Sequence, residues 1–328
     1  MKAARLYGPR DLRVEEVEDP RPPKGWALVK TKAVGICGTD KAFYAGTYPL
    51  FKRPLTIGHE VAGVVVEGPE ELAGKLVVSE INFPCWECEL CRSGLYTHCP
   101  RKKTLGIDFD GGMADYFTAP ITALHDASGL APEAATLAEP LAAVLNALSQ
   151  FPPRPGDRVL ILGSGNLAYL LAQVLASRGL WDAVVAVREG SPKARHFEAL
   201  GLEVVTTAEL GSFARERAAG GFDVVFEVTG SPDALDLAIE AAKPRGIVHL
   251  KSTPGGVFRA DLTKAVVKEL RIVGTRCGTF REFRQAIELL RTGKVKPLVT
   301  ATFSGVDSAP KAMEKSFERD QVKVVVKI

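Results

Sequence analysis

The sequence lacks the features that would indicate a membrane protein, a secreted protein or a nucleic-acid-binding protein. No apolar run approaches the roughly 18 to 20 residues that span a bilayer. The first residues, M-K-A-A-R-L-Y-G-P-R, contain no apolar core of a signal peptide. The net charge is only +3, and Lys and Arg are dispersed along the chain. We therefore expect a cytoplasmic protein with no membrane or nucleic-acid partner.

Amide side chains are also scarce, with three Asn and four Gln in 328 residues. Because amides are thermolabile, this scarcity predicts a thermophilic source. Hydrophobic residues make up 46% of the chain and charged residues 25%, as in ordinary globular proteins. A chain of 328 residues exceeds what one hydrophobic core usually supports, so we expect two domains.

Four of the six cysteines are concentrated in one short segment, C-W-E-C-E-L-C-R-S-G-L-Y-T-H-C. Cys85, Cys88 and Cys91 follow one another at three-residue steps, and Cys99 comes eight residues later. Four thiolates at this spacing can close a tetrahedral shell around one zinc ion. An iron–sulfur cluster is the main alternative, because Cys-x-x-Cys steps also suit it. A disulfide framework would need an oxidising compartment.

The two halves of the chain have different hydrophobic patterns. Residues 1–140 contain short β-type runs such as V-A-G-V-V-V and K-L-V-V-S, separated by Gly and Pro. From about 141, continuous apolar runs alternate with helical segments, which predicts a parallel sheet. The rhythm stops near Gly274, and the chain ends in the alternating strand V-K-V-V-V-K-I. We predict an α/β protein with a β-rich domain (1–140 and 276–328) and a doubly wound parallel-sheet domain (141–275).

A glycine-rich turn joins the first apolar run of the parallel-sheet domain to its helix. Gly163, Gly165 and Ala168 form G-x-G-x-x-A, with Asn166 and Leu167 between the last two. The first Gly permits a tight turn, the second lets a pyrophosphate approach the backbone, and the small Ala allows close helix–strand packing. In this strand–turn–helix context the pattern predicts a dinucleotide site.

The residues after the next strand bear on the choice of dinucleotide. NAD-dependent proteins place an acid there to bind the ribose hydroxyls, whereas NADP-dependent proteins place a cation near the 2′-phosphate. Arg188 is the first residue after A-V-V-A-V, and Lys193 and Arg195 follow nearby. We therefore expect NADP to be preferred to NAD, with Glu189 as the alternative ribose partner.

A second set of metal-ligand residues lies outside the four-cysteine segment. Cys37 lies in G-I-C-G-T-D, His59 and Glu60 in G-H-E, and Glu139 in L-A-E-P-L-A. A zinc ion with three protein ligands and one open position is the pattern of a catalytic site. Taken singly, each residue also has a structural interpretation, such as a buried core His. The prediction therefore depends on the combination.

Two polar residues beside Cys37 complete the predicted catalytic site. Asp40 is predicted to accept a hydrogen bond from the distal nitrogen of His59 and so to fix its tautomer. Thr39 is predicted to pass a proton between the reacting oxygen and solvent.

Taken together, these motifs resemble the zinc-dependent medium-chain alcohol dehydrogenases. The resemblance covers nearly the whole chain in order. The E-P pair at Glu139 and the segment G-I-D-F-D-G-G-M-A-D-Y are closest to the polyol, threonine and glucose dehydrogenase branches. The resemblance to this family implies a GroES-like catalytic domain beside a Rossmann domain, in a homodimer or homotetramer. It also implies two zinc ions per chain: a structural ion on the four clustered cysteines, and a catalytic ion on Cys37, His59 and either Glu60 or Glu139, with Thr39 relaying the proton.

The chain departs from that family at three places. Ala42 stands where many members have a His five residues after the first Cys, so the proton relay must end in water or the ribose. Arg188 replaces the acid of NAD-dependent members. The segment E-G-P-E-E-L-A-G-K-L-V-V lacks the usual longer loop before its strand.

We therefore expect an NAD(P)-dependent zinc dehydrogenase of small secondary alcohols, with sugars or polyols as the favoured substrates. The first alternative is a threonine-type amino-alcohol dehydrogenase, and the second is a zinc- and dinucleotide-binding regulatory protein without catalysis. The lack of a basic patch argues against a third, a zinc-ribbon nucleic-acid module. Candidate pocket residues are the aromatic side chains of Phe43, Tyr44, Tyr48 and Phe109.

Overall fold

The computed structural model describes residues 1–180 and 182–328, and within them the chain forms eighteen strands and eleven α-helices. The strands are β1 (Lys2–Gly8), β2 (Asp11–Glu16), β3 (Trp26–Gly35), β4 (Leu55–Thr56), β5 (Glu60–Glu67), β6 (Leu76–Ser79), β7 (Asn82–Phe83), β8 (Lys103–Thr104), β9 (Tyr116–Pro120), β10 (Leu124–Asp126), β11 (Val159–Leu162), β12 (Ala183–Val187), β13 (Glu203–Thr206), β14 (Phe222–Glu227), β15 (Ala242–Leu250), β16 (Arg271–Gly274), β17 (Ala301–Ser304) and β18 (Val324–Lys327). The helices are α1 (Gly38–Ala45), α2 (Glu89–Arg92), α3 (Pro132–Ala135), α4 (Ala138–Gln150), α5 (Asn166–Ser177), α6 (Ala194–Glu198), α7 (Leu210–Glu216), α8 (Ala234–Ala241), α9 (Leu262–Val267), α10 (Phe280–Arg291) and α11 (Ala309–Ser316).

The first unit is built on a seven-stranded, mainly antiparallel sheet. Its strands follow the order β10-β6-β5-β3-β18-β17, and β9 also pairs with β3. Strand β18 comes from the end of the chain, yet it pairs antiparallel with β3, with Val326 opposite Val34. Both of these valines are fully buried. The last residues of the chain thus complete a sheet that the first residues begin.

The second unit is a six-stranded sheet in the order β13-β12-β11-β14-β15-β16, with every neighbouring pair parallel. Alternate residues of β11 belong to two different cores: Val159 and Ile161 to one, Leu160 and Leu162 to the other. A strand buried on both faces reads as a continuous apolar run, which explains the sequence V-L-I-L. This strand order is that of a Rossmann domain, so the predicted fold class is confirmed.

Helices α4 and α10 pack against each other where the two units meet. Buried residues of both helices share one core with Ala62 of β5 and Ile161 of β11. The core is therefore continuous from one unit to the other. The predicted domain boundaries at 140 and 276 stay predictions.

The longest helices of the described residues are α4, with 13 residues, and α5 and α10, with 12 each. None of the helices in these parts of the chain is both long and apolar enough to cross a membrane. The cytoplasmic location and the thermophilic source stay predictions.

Candidate active site and metal centres

The four clustered cysteines converge in a small lobe that follows β7. Cys88 immediately precedes α2, Cys91 lies within it, and Cys99 follows a short 3-10 turn. Four Sγ–Sγ distances define the group: 4.0 Å for Cys85–Cys91, 3.5 Å for Cys88–Cys91, 3.9 Å for Cys88–Cys99 and 3.5 Å for Cys85–Cys99.

This arrangement fits a zinc ion better than a disulfide pairing. A tetrahedral site with Zn–S bonds of about 2.3 Å places its sulfur atoms about 3.8 Å apart, whereas a disulfide joins two sulfurs at about 2.0 Å. Within residues 1–180 and 182–328, no other group of three or more candidate ligands has all its ligand atoms within 4.8 Å of one another. The donor set suits a structural zinc ion without an open position.

A buried hydrogen-bond network joins this lobe to the rest of the molecule. The hydroxyl of Tyr96 donates to Oε2 of Glu80 at 2.6 Å and accepts from the backbone N–H of Phe280 at 2.6 Å. The other oxygen of Glu80 lies 3.0 Å from Nε2 of His125. Burial raises the pKa of Tyr96 well above its ordinary value. The network connects the lobe to β10 and to the start of α10.

Cys37, Thr39 and Asp40 are brought together at the start of α1. Cys37 is the residue before the helix, and its backbone N–H donates to the Asp40 carboxylate at 2.9 Å. The hydroxyl oxygen of Thr39 lies 4.0 Å from Sγ of Cys37. Asp40 is buried and also accepts from the backbone N–H of Gly58 at 3.3 Å. This contact brings the G-H-E segment against α1.

His59 is buried beside Cys37 and Asp40, but the predicted hydrogen bond to Asp40 is too long. Nδ1 of His59 lies 3.7 Å from Oδ1 of Asp40, and it has no hydrogen-bond partner among the described residues. Burial lowers the pKa of His59, but the Asp40 carboxylate and the Cys37 thiol outweigh this effect and hold the pKa well above its ordinary value. An imidazole between a thiol and a carboxylate is a donor set that suits zinc.

Of the two candidate carboxylates, Glu60 is already engaged. Its Oε2 accepts a hydrogen bond from Nζ of Lys323 at 2.5 Å, and both side chains are buried. Lys323 also donates to the carbonyl of Ile36 at 3.1 Å. A side chain at Gly35 would collide with the Glu60 carboxylate, which explains why β3 ends in glycine. Glu60 is therefore held between β3 and the C-terminal segment.

Among the described residues, Glu139 has no such ion pair. It lies in the first turn of α4, where burial raises its pKa to about 7 while His59 opposes the shift. Cys37 and Glu139 both raise the pKa of His59, so the three side chains interact electrostatically. Their ligand atoms do not all come within 4.8 Å, in contrast to those of the four thiolates. The residue types fit a zinc ion with one open position, and a count of two zinc ions stays a prediction.

The glycine-rich turn lies where the sequence predicts, between β11 and α5. Gly163 has a φ of 129°, in the region that favours glycine, and Gly165 precedes the first helical residue, Asn166. Ala168 is fully buried, and Leu167 packs against the core. Oδ1 of Asn166 is buried with no hydrogen-bond partner in the described parts of the chain. The turn follows β11 beside β14, where the strand order reverses and where open α/β sheets bind ligands.

Three cations from the two units affect one another electrostatically. Arg188 follows β12 directly and is exposed, and Lys193 immediately precedes α6. Lys41 of α1 is the third, and the sequence analysis missed it. Burial and then repulsion from Lys193 lower the pKa of Lys41 to about 8. Burial and repulsion from Arg188 lower the pKa of Lys193. Such mutual repulsion favours the binding of an anion.

Lys251 is a second functional candidate that the sequence analysis missed. It follows β15 directly, and its Nζ donates to the carbonyl of Thr275 at 3.2 Å. Burial lowers its pKa to about 8, while Cys277 and Glu139 oppose the shift. The sequence signal that could have identified it is a Lys directly after the apolar run I-V-H-L. The carboxyl end of a parallel strand lies at the sheet edge where ligands bind.

The four aromatic candidates for the pocket belong to the hydrophobic core of the first unit. Phe43 and Tyr44 are buried, and Tyr48 and Phe109 pack against the same core. The hydroxyl of Tyr44 donates to Glu314. Core packing and this hydrogen bond are sufficient to explain the positions of these four side chains without a bound substrate.

The Rossmann strand order and its glycine turn indicate a dinucleotide-binding protein, and the two ligand sets point to a zinc-dependent dehydrogenase. Residues 23–129 match the alcohol dehydrogenase GroES-like domain, and residues 167–292 match the zinc-binding dehydrogenase domain. The chain belongs to the zinc-dependent medium-chain alcohol dehydrogenase family. The predicted family and the predicted NAD(P)-linked dehydrogenase activity on alcohols are confirmed.

Curated relatives match almost the whole chain. L-galactonate-5-dehydrogenase of Escherichia coli is 28% identical over 96% of this chain and 93% of its own. Sorbitol dehydrogenase of Halalkalibacterium halodurans is 31% identical over 91% of this chain and 90% of its own. L-threonine 3-dehydrogenase of Pyrococcus horikoshii is 32% identical over 96% of this chain and 93% of its own.

Solved structures share the fold along its full length. A zinc-binding dehydrogenase from Sinorhizobium meliloti, bound to NADP, has a TM-score of 0.90 at 28% identity and covers 100% of this chain and 99% of its own. An alcohol dehydrogenase from Escherichia coli, complexed with NADH, has a TM-score of 0.90 at 26% identity, with the same coverage. Structural neighbours of this chain are thus found with either type of cofactor.

Proposed function

We propose that this protein oxidises a secondary hydroxyl group of a sugar-derived or polyol substrate and transfers the hydride to NADP. The observation that carries the proposal is the group formed by half-buried Cys37 and buried His59 and Glu139, which lies near Lys251 at the carboxyl edge of the Rossmann sheet. The names of the relatives that act on galactonate and sorbitol support a polyhydroxylated substrate. An amino alcohol of the threonine type is the second candidate, because a threonine dehydrogenase is 32% identical.

The mechanism follows from the positions of the chain's own residues. When bound, zinc supplies the Lewis acidity that lowers the pKa of a hydroxyl group. Cys37, His59 and Glu139 would hold the ion, and the hydroxyl of Thr39, beside Cys37, accepts the proton of the substrate and passes it on. Ala42 offers no group to extend this relay, so the proton leaves through water or the nicotinamide ribose.

We propose Glu139, rather than Glu60, as the third ligand of the catalytic zinc ion. Glu60 would have to give up its buried ion pair with Lys323 to bind the metal. Breaking a buried pair leaves an uncompensated charge and is strongly unfavourable. With the four thiolates of the lobe, this assignment gives two zinc ions per chain.

The preference for NADP over NAD is supported by the three cations Arg188, Lys193 and Lys41. Their mutual repulsion would be relieved by the 2′-phosphate, which carries negative charge. A guanidinium group also matches phosphate with paired hydrogen bonds. Since Lys41 belongs to the first unit, the phosphate would be bound from both sides of the cleft.

Replacing Arg188 tests this preference. Arg188→Ala should raise KM for NADP by about 10- to 150-fold, the value of one charge-assisted hydrogen bond. The kcat with either cofactor should change little, because the 2′-phosphate is far from the hydride. Glu189→Ala is the matched control and should leave the NADP-to-NAD ratio unchanged. If the wild-type protein prefers NAD, Glu189 rather than Arg188 would be the residue that binds the ribose.

The substrate class is tested by a screen of purified, zinc-replete protein with both cofactors, read from the absorbance of the reduced nicotinamide. The panel contains neutral polyols, aldoses, sugar acids and threonine. Turnover of a polyhydroxylated substrate is expected, and turnover of threonine alone would favour the second candidate. Binding of zinc and dinucleotide with no turnover of any alcohol would favour a regulatory role.

We also propose that two chains associate along the outer edge of the Rossmann sheet. Strand β16 is an edge strand, paired with β15 alone among the described residues. Helix α9 has no buried residue, and Val266 and Val267 are 76% and 77% exposed. A second copy would cover these valines and pair the free edge. Light scattering should give at least twice the chain mass of 35.2 kDa, and a monomer would contradict the proposal.

A further inference from the structure

A cluster of buried polar groups beside Glu139 has no part in the mechanism above. Lys251 lies at its centre, with its Nζ 3.2 Å from the carbonyl oxygen of Thr275. The Cys277 thiol lies near Lys251, and the side chain of Asn82 lies near Cys277. The cluster combines the edge of the parallel sheet with β7 of the first unit, so it faces the cleft between the units.

In the part of the chain that the structure describes, no carboxylate forms an ion pair with the buried ammonium group of Lys251. The residue is 8% exposed, and its hydrogen bond within the described residues goes to an uncharged carbonyl. The negative charge of Glu139 raises the pKa of Lys251 without forming an ion pair with it, and the positive charge of Arg276 lowers that pKa. Where Glu139 is a zinc ligand, its negative charge is shared with the metal. A buried ammonium with no paired anion is unfavourable, so an anion that enters the cleft is stabilised there.

Two further polar atoms of the same cluster lack partners. Oδ1 of Asn82 and Oγ1 of Thr275 are buried with no hydrogen-bond partner in the described parts of the chain. Buried polar atoms of folded proteins are almost always hydrogen-bonded, so these atoms call for a ligand or water. A cation flanked by an amide and a hydroxyl suits a carboxylate that has hydroxyl groups on the adjacent carbons.

We propose that the substrate is a polyhydroxylated carboxylate, a sugar acid of the aldonate class, and that Lys251 binds its carboxylate group. This inference rests on the proposed function, since Cys37, His59 and Glu139 must hold the hydroxyl group that is oxidised. A carboxylate balances the single charge of Lys251. A phosphate dianion would bring a second negative charge, which the ammonium group of Lys251 alone does not balance.

Matched pairs of substrates test the inference. Gluconate is compared with glucitol, galactonate with galactitol, and mannonate with mannitol, each with both cofactors. We expect kcat/KM for the acid to exceed that for the polyol by about 10- to 150-fold in at least one pair. Lys251→Met keeps the length of the side chain without its charge. It should lower kcat/KM for the acid by a similar factor and that for the polyol much less.

Lys243→Met is the matched control, because Lys243 lies at the opposite end of β15 and pairs with Asp223 at 3.1 Å. Titration calorimetry of the sugar acid into zinc-loaded protein without dinucleotide gives a readout that does not depend on turnover. Binding should persist in wild type, Lys243→Met and Lys251→Arg, and should weaken in Lys251→Met by the same factor as kcat/KM.

Three results would overturn the inference. They are equal kcat/KM for acid and polyol in every pair, equal losses on both in Lys251→Met, and a preference for a polyol phosphate over the acid. Turnover of neutral polyols alone would leave the proposed dehydrogenase function standing and remove the acid site. Binding of the acid without turnover of any alcohol would support the acid site and contradict the proposed function. If Lys251→Met does not fold, the wild-type pairs and Lys251→Arg still decide.

Discussion

The two zinc-ligand sets of this protein are built in opposite ways. The four thiolates come from residues 85–99, and their Sγ atoms already lie 3.5 to 4.0 Å apart. Cys37, His59 and Glu139 come from three separate segments, and their ligand atoms do not all lie within 4.8 Å of one another. The first set is closed by local spacing along the chain, whereas the second is assembled by the fold of both units.

The open set, formed by Cys37, His59 and Glu139, is surrounded by buried charged side chains. Around the open set, Asp40, Glu60 and Lys323 are all buried, as are the ligands His59 and Glu139. Buried charges are unfavourable unless they are paired or bind a metal. The lobe should therefore gain stability from its zinc ion, while the open set depends on the surrounding fold and serves the chemistry.

The largest expected effect comes from removing a ligand of the open set. His59→Ala should lower kcat/KM by on the order of 10³-fold or more, because Lewis-acid stabilisation is worth several kcal/mol. The variant should still fold, since this ion does not close a loop. Elemental analysis of protein purified without chelator should find two zinc ions per chain in wild type and one in the variant.

His98→Ala is the control for this experiment, because His98 is an exposed histidine of the four-thiol lobe. It should retain both zinc ions and normal turnover. Normal turnover in His59→Ala, or one zinc ion in zinc-replete wild type, would rule out the catalytic assignment and leave a single structural site.

The closed set should respond in the opposite way. Structural zinc contributes about 10 to 16 kcal/mol of binding free energy in small peptides, of which a lobe within a larger domain feels only part. We expect Cys88→Ser to lower the free energy of unfolding by on the order of 4 kcal/mol, measured by thermal and denaturant melts. Ser93→Ala, an exposed change in the same lobe, is the control. A Cys88→Ser variant that melts like wild type would show that the metal does not hold the lobe together.

The sequence analysis predicted the features that are local in the chain. The four-thiol lobe, the glycine turn and the position of Arg188 directly after β12 each depend on one short segment. The fold class followed from the change between short β-type runs and alternating apolar runs, because periodicity reports which faces of an element are buried.

Features that depend on distant pairing were missed or left open. Lys323 reaches Glu60 across 263 positions of the chain, and this contact distinguishes Glu60 from Glu139. Lys41 and Lys251 gain a role only when the two units meet. Local periodicity assigns each residue to a face of its own element, but it does not report what that face meets.

The smallest expected effect tests whether the lobe depends on the rest of the molecule. Tyr96→Phe removes the hydroxyl that donates to Glu80 at 2.6 Å and accepts from the backbone N–H of Phe280 at 2.6 Å. Loss of a hydrogen bond to a buried charged group should lower the free energy of unfolding by about 1.5 to 3 kcal/mol. Tyr116→Phe, in β9, is the control and should melt close to wild type.

Zinc content separates the two interpretations of this last variant. If local spacing alone closes the lobe, Tyr96→Phe should melt at a lower temperature and yet keep the same zinc content as wild type, because all four thiolates remain in place. If the variant loses the structural ion at the temperature where its activity is measured, then Glu80 and α10 help to position the thiolates. The contrast between a locally closed set and a set assembled by the fold would then no longer hold, since both sets would depend on contacts between the units.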